Sequence, residues 1–257
     1  MNFALTVHDL AISVKARRLV HDLSLTVAAG ERVALLGASG SGKSITAAAI
    51  LGSLGPEFRA EGSISVFGTP LRGPASRRSH GAVAAIDQDS AAALNPLVTI
   101  GAQLAVPVAR HTGRKAVRGL VADLLDSVGI ENPARTMAGY AAELSGGQRQ
   151  RVCIALALAC RARLLIADEP TTALDVVNQA RVLEVLRFAG HAEPAAILFI
   201  THDLAAAAAL CDRAVVLDGG RVVEQAMMAD LIQDPQHPYS RALVEAAQPA
   251  RHLASVA

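Results

Sequence analysis

RVALLGASGSGKS, residues 32–44, decides how this chain folds. An apolar run from Val33 to Leu36 breaks at Gly37, Gly40 and Gly42, and Lys43 and Ser44 then open a helical pattern. Strand, glycine-rich turn and helix with the spacing G-x-x-x-x-G-K-S is the arrangement that cradles a phosphate chain. The glycines let successive N–H groups curl toward a β-phosphate. A lysine brings charge to the β- and γ-phosphates, and a serine hydroxyl can ligate Mg²⁺. The candidate nucleotide-binding residues are therefore Gly37, Ala38, Ser39, Gly40, Ser41, Gly42, Lys43 and Ser44, the last also a metal ligand. A turn that merely joined strand to helix would not need Lys-Ser in that register.

Working outward, LLIADEPT at 164–171 is an apolar strand ending in two carboxylates. A buried strand ordinarily avoids charge. Asp168 fits the Mg²⁺ side of a phosphate site, and Glu169 fits a general base that polarises the attacking water. A third stretch, AELSGGQRQR at 142–151, precedes an alanine-rich apolar run. It reads as a helix start. A simple cap, Ser145 bonding the Gln148 N–H, accounts for it in isolation; an anion-holding N-terminus is the other reading.

The chain has 257 residues, 24 basic and 23 acidic, so no field for a polyanion is built into it and no nucleic-acid partner is expected. Cys153, Cys160 and Cys211 lie in apolar stretches and read as small buried hydrophobes. The eight histidines show no metal-ligand spacing. The N-terminal MNFALTVHDLAISV lacks signal-peptide features, and the longest apolar run, VCIALALAC at 152–160, falls well short of the about 20 residues that span a bilayer. A soluble chain is expected.

Short β-type runs fill the first segment, with a break at Ala29-Gly30. A helix is expected from Lys43 to Leu54, with Ile45, Ala48, Ala49 and Leu51 inward. EGSISVF at 61–67 alternates, and a turn-rich GTPLRGPASRR follows. Strand VAAID leads to Gln88. From 92 to 160 the pattern is helical, clearest where Val117, Leu120, Val121, Leu124, Leu125 and Val128 recur before a stop at Gly129. Then come strand 164–169, a helix from Val176, strand 195–201, a helix over 204–211, a hairpin at Gly219-Gly220 and a helix over 238–247. The alternation predicts an α/β fold with a mainly parallel sheet and an inserted helical block.

LSGGQ followed by RQR, with DEP, TTALD and THD, downstream of the glycine-rich loop, resembles the ATP-binding subunit of an ABC transporter over nearly the whole chain. The resemblance implies a P-loop NTPase core with an N-terminal antiparallel β subdomain and an inserted α-helical subdomain. It implies one domain over 1–247, with core segments 1–91 and 161–230 and helices at about 92–160. A C-terminal helix and tail, 231–257, carries His-Pro-Tyr. It also implies that two subunits pack head to tail, each ATP lying between the P-loop of one and the LSGGQ of the other. Ser145, Gly146, Gly147 and Gln148 then meet a γ-phosphate brought by the partner. Gln88 resembles the glutamine that senses Mg²⁺, Asp175 the aspartate at the dimer interface, and His202 the switch histidine at the γ-phosphate. ATP and Mg²⁺ are the implied cofactors.

One position departs from the family pattern. Where such subunits place an aromatic residue under the adenine, this chain has Val14. Looser base selectivity is expected: ATP and GTP should be hydrolysed at comparable rates, and strict ATP preference would refute this. QDSAAALNPLVTIG at 88–101 and DPQHPYSRAL at 234–243 resemble the branch importing nickel, dipeptides and oligopeptides. RLVHDLSL, TTALDVVNQARVLEVL and the short C-terminal segment resemble the nickel subunit most, so import of nickel or a nickel chelate is the expectation, with peptides as the alternative. The implied partners are two membrane permeases, a second ATP-binding subunit (different or identical) and, indirectly, a substrate-binding protein. The implied location is the cytoplasmic face of the inner membrane. A soluble ABC ATPase acting on nucleic acid or ribosomes would be expected to carry a coiled-coil insertion or tandem cassettes, and neither is seen.

Overall fold

The computed structural model describes residues 2–71, 82–112, 116–189 and 194–247. The chain opens with β1 (Phe3–Val14), β2 (Arg17–Ala28), β3 (Arg32–Leu36), α1 (Lys43–Leu51), β4 (Phe58–Val66) and β5 (Thr69–Pro70). Next come β6 (Val83–Ile86), α2 (Ser90–Ala93), α3 (Ile100–His111), α4 (Val117–Ser127), α5 (Pro133–Ala138), α6 (Gly146–Ala159), β7 (Leu164–Asp168) and α7 (Val176–Arg187). β8 (Ala196–Thr201), α8 (Leu204–Leu210), β9 (Arg213–Asp218), β10 (Arg221–Met227), α9 (Met228–Gln233) and α10 (Pro238–Ala247) close it. These elements form two compact units, one from residues up to 77 and from 198 onward, the other from 78 to 197.

In the first unit β1 lies between β2 and β4 and runs antiparallel to both. Its burial changes parity along the strand. Leu5 and Val7 face the core, and so do Leu10 and Ile12. A bulge at Asp9, whose φ is 49°, makes that switch, and the Ser24 hydroxyl accepts the Asp9 N–H at 2.9 Å. β2 does the same at Asp22, so Val20, Leu23, Leu25 and Val27 all turn inward. Without the two bulges, half of each apolar set would face water.

The same unit holds β10, β9, β3 and β8 side by side. β3 pairs parallel with β9, Val33 opposite Arg213 and Leu36 opposite Val216, while β10 is an antiparallel edge. Val33, Ala34, Leu35 and Leu36 are fully buried, the unbroken apolar pattern of a strand covered on both faces. Burying each of its larger side chains is worth ~1.5–3 kcal/mol. Arg213 pairs with Glu31 at 2.8 Å and Arg32 with Asp212 at 2.9 Å, which fixes where β3 starts.

α1 corrects the expected face. Thr46, Ala47, Ala49 and Ile50 are buried, whereas Ile45, Ala48 and Leu51 are half-buried, and the helix ends at Leu51 before Gly52. Three alanines in the middle of α1 and a polar Thr46 on its buried side leave the apolar pattern little contrast to read a face from. The hairpin at Gly219-Gly220 and α10 occur as expected; α9 was not anticipated. Residues 72–78 of the turn-rich stretch and 248–257 of the tail lie outside the described residues.

In the second unit β6 and β7 are parallel, Val83 opposite Leu164 and Ile86 opposite Ala167. Residues 90–159 are mostly helical, as their periodicity predicts. On α4, Val121 and Leu125 are buried, and the helix stops at Ser127 with the Gly129 N–H closing on the Asp126 carbonyl at 2.9 Å. Cys153 and Cys211 are buried, whereas Cys160 is half-buried with its thiol on the Leu156 carbonyl, so it does not fit the expected buried set. Among the described residues no helix is long and apolar enough to cross a membrane.

Candidate functional site

Residues of the first unit form the phosphate loop. Gly37 ends the buried strand β3 so close to β9 that a Cβ there would lie 2.3 Å from the Leu217 carbonyl oxygen. Only glycine lets the loop leave the sheet at this point. Ala38, Ser39 and Gly40 are exposed, and Ser41 is buried. The loop ends at Gly42, whose φ is 105° and which gives α1 no side-chain cap. A helix N-terminus is the place where backbone N–H groups and the helix dipole favour an anion. Lys43 is buried, and its Nζ donates to the Gly37 carbonyl at 2.7 Å and the Ala38 carbonyl at 2.9 Å, while Ser44 is exposed.

Two neighbours brace this loop. Gly220, in the β9–β10 turn, donates its N–H to the Ser41 carbonyl at 3.0 Å and accepts the His21 N–H at 2.8 Å. A Cβ on Gly220 would lie 2.1 Å from the Leu19 carbonyl oxygen, so the turn is pressed against β2. Tyr239 of α10 accepts the Ala38 N–H at 2.6 Å. His202, exposed at the end of β8, sits between Thr201 and Asp203. Asp203 caps α8 through the Ala205 and Ala206 N–H groups and donates its own N–H to the Thr201 hydroxyl, so the backbone on both sides of His202 is held.

In the second unit every residue of β7 is buried, and Asp168 and Glu169 are each 8 % exposed. Glu169 has a left-handed backbone, φ 48°, a conformation that costs a non-glycine residue about 1–2 kcal/mol. The chain turns there, which takes the Glu169 side chain out of the strand's alternation beside Asp168. The Thr172 hydroxyl donates to Glu169 Oε2 at 2.7 Å.

Ser145 starts α6 with both halves of a capping box. Its Oγ accepts the Gln148 N–H at 3.2 Å, and its own N–H goes to Gln148 Oε1 at 2.9 Å. Ser145 and Gly146 are exposed. Gly147 lies against the turn before α7, where a Cβ would be 3.4 Å from the Ala173 carbonyl oxygen. Asp175 caps α7 by accepting the Asn178 N–H at 2.9 Å and its side-chain amide at 2.6 Å. Those bonds, the backbone one first, hold its carboxyl below the usual carboxylate value. Asn178 also accepts from Arg151 of α6 at 2.9 Å. Thus the LSGGQ helix start and the TALD turn form one cluster.

Gln88 is exposed in the turn between β6 and α2. Beside it, Asp89 accepts the Ala92 N–H at 3.3 Å, and the Ser90 carbonyl accepts the Cys153 thiol. Burial pushes that thiol up to about 12, so it is neutral and inert. Val14 is half-buried, paired across the strands with Arg17 and Phe58. Thr172, Asn178, Arg151, Gly220 and Tyr239 are additions that motif reading missed. The partners of Arg151, Gly220 and Tyr239 lie far along the chain, whereas Thr172 and Asn178 each bond a carboxylate three residues earlier and could have been suspected.

The donor set fits a magnesium nucleotide. In the first unit a helix start without a side-chain cap beside a buried lysine suits a polyphosphate, and the exposed Ser44 hydroxyl is a hard oxygen donor of the kind Mg²⁺ takes. In the second unit the Asp168 carboxylate is a donor of the same kind. The family model described as ABC transporter matches residues 20–172, and the chain belongs to that family. The oligopeptide transport ATP-binding protein OppD of Mycobacterium bovis is 44% identical over 255 residues, covering 95% of this chain and 42% of that protein. A protein of Escherichia coli named "Probable D,D-dipeptide transport ATP-binding protein DdpD" is 42% identical over 236 residues, covering 89% and 72%. The chain thus spans well under half the length of the first relative. A solved ATP-binding subunit of an ABC transporter superposes with a TM-score of 0.78 at 29% identity, covering 95% of this chain and 99% of that one. The fold is that of an ABC ATPase: a P-loop core, an antiparallel β subdomain and a helical insertion.

Proposed function

We propose that this chain binds and hydrolyses ATP as the energising subunit of an importer for dipeptides or oligopeptides. The observation that carries the reading is a chain with two helix starts suited to phosphate, one at Lys43 and one at Ser145. In this reading residues 37–44 hold one nucleotide, with Ser44 and Asp168 on Mg²⁺ and Gln88 sensing the ion. Glu169 polarises the attacking water, and His202 meets the γ-phosphate. Ser145, Gly146, Gly147 and Gln148 close on the nucleotide of a second subunit, and Asp175 crosses that interface. Contact with the γ-phosphate exists only before hydrolysis, so ATP closes the pair and turnover opens it.

The domain reading goes with it: core segments 1–91 and 161–230, helices at about 92–160, and a C-terminal segment from 231. The partners are two membrane permeases, a second ATP-binding subunit and a substrate-binding protein, with the chain peripheral on the cytoplasmic side of the inner membrane. The names of the relatives compared, oligopeptide and D,D-dipeptide transporters, favour peptide cargo over the nickel suggested by short sequence resemblances. Uptake in a strain deleted for this chain decides between them. Labelled dipeptide uptake is expected to fall to background and return with the restored gene, while radioactive nickel enters normally. The opposite pattern would return the cargo to nickel.

A further inference from the structure

HPYS, residues 237–240, is the motif to which nucleotide chemistry assigns no work. In the first unit it forms a chain of contacts that ends on the phosphate loop. Glu224 of β10 accepts the Gln236 N–H at 3.0 Å and the His237 N–H at 2.9 Å, fixing the turn before α10. Burial pushes the Glu224 carboxyl up, but the Gln236 N–H, the Ser240 side chain and the His237 N–H together outweigh it and the group lies below its usual value, so it is an anion when it holds the turn. His237 Nδ1 accepts the Tyr239 N–H at 3.2 Å, and Pro238 opens the helix with a backbone angle already suited to it. Ser240 and Val244 are buried on the inner side of α10. The Tyr239 ring is thereby aimed across 201 residues of sequence at the Ala38 N–H.

That N–H belongs to the same planar peptide unit as the Gly37 carbonyl, the group on which Lys43 Nζ rests at 2.7 Å. One peptide is held at both ends, its oxygen by the lysine and its N–H by the phenol oxygen. Turning the peptide would break both bonds together. We infer that Tyr239 is a positioning residue of the nucleotide site: it fixes the peptide that seats the Lys43 ammonium where a phosphate chain arrives. The inference rests on the ATP-site reading above, and it makes the C-terminal helix a working part of that site.

Tyr239→Phe keeps the ring and removes only the acceptor. In the full chain the KM for ATP and the Kd for a fluorescent ATP analogue should each rise about 3- to 10-fold, the effect of one hydrogen bond. kcat and the melting temperature without nucleotide should change far less. Glu224→Ala leaves the phenol in place but frees the turn at 236–237, and it should raise KM in the same direction by less. An unchanged KM in both variants overturns the inference, as does a Tyr239→Phe protein whose kcat and melting temperature fall while KM holds, the mark of a purely structural residue. A wild-type chain that binds no nucleotide would overturn the ATP reading itself, and this inference with it.

Discussion

Glu169→Gln should yield a protein that binds ATP, forms a stable dimer and hydrolyses almost nothing. The substitution keeps the volume of a side chain that is 8 % exposed and leaves an oxygen for the Thr172 hydroxyl, so the turn at Glu169 should persist. In the proposed reading, what is lost is the basicity that polarises water. General bases contribute roughly 10²- to 10⁴-fold, and hydrolysis should fall by that order. The ATP-closed state then has no exit, and gel filtration with ATP should show a dimer where the wild type cycles back to monomer. If the chain pairs with a different ATPase, the same shift should appear on mixing the two. Monomers under every nucleotide condition, or hydrolysis at the wild-type rate, would refute the role given to Glu169.

Lys43→Ala should abolish detectable ATP binding. The lysine is the one cation buried in the loop, and its ammonium lies against the two carbonyls that begin it. Charge-assisted hydrogen bonds are worth about 1.5–3 kcal/mol each, so loss of contacts to two phosphates should weaken affinity by at least about 100-fold. Titration with a fluorescent ATP analogue measures this, and a melting curve without nucleotide checks that the fold survives. Affinity within a few-fold of wild type would mean that phosphate binds elsewhere.

How much was legible in the sequence depended on how local the cause was. The Gly42-Lys43-Ser44 run could be read because the left-handed backbone at Gly42 lies within the segment itself. The same holds for Ser145 and Gln148, whose capping box closes over three residues. Gly37, by contrast, was read from the motif spacing, although the carbonyl that crowds it belongs to Leu217 of β9. The inward face of α1 was misread because alanine gives an amphipathic pattern little contrast, and buried Thr46, with its hydroxyl satisfied by the Gly42 carbonyl at 2.8 Å, looked polar. α9 is a six-residue helix, too short to show a period. The bulges at Asp9 and Asp22 blur an alternation that is regular only once both strands are in place. Tyr239 on Ala38 and Arg151 on Asn178 could not have been found, because no local rule links residues that far apart.

The arrangement at Ser145 removes an apparent rivalry between stabilising a helix and gripping a phosphate. A hydroxyl has one proton to give and two lone pairs to receive with. The Gln148 N–H takes up a lone pair only, and the proton is left over on an exposed side chain. Drawing electron density from the oxygen makes that proton more acidic, as in any relay of linked dipoles. In the proposed reading the fold therefore sharpens the donor that Ser145 would present to a second subunit's nucleotide, and a threonine in its place would keep this polarity where an alanine would lose it.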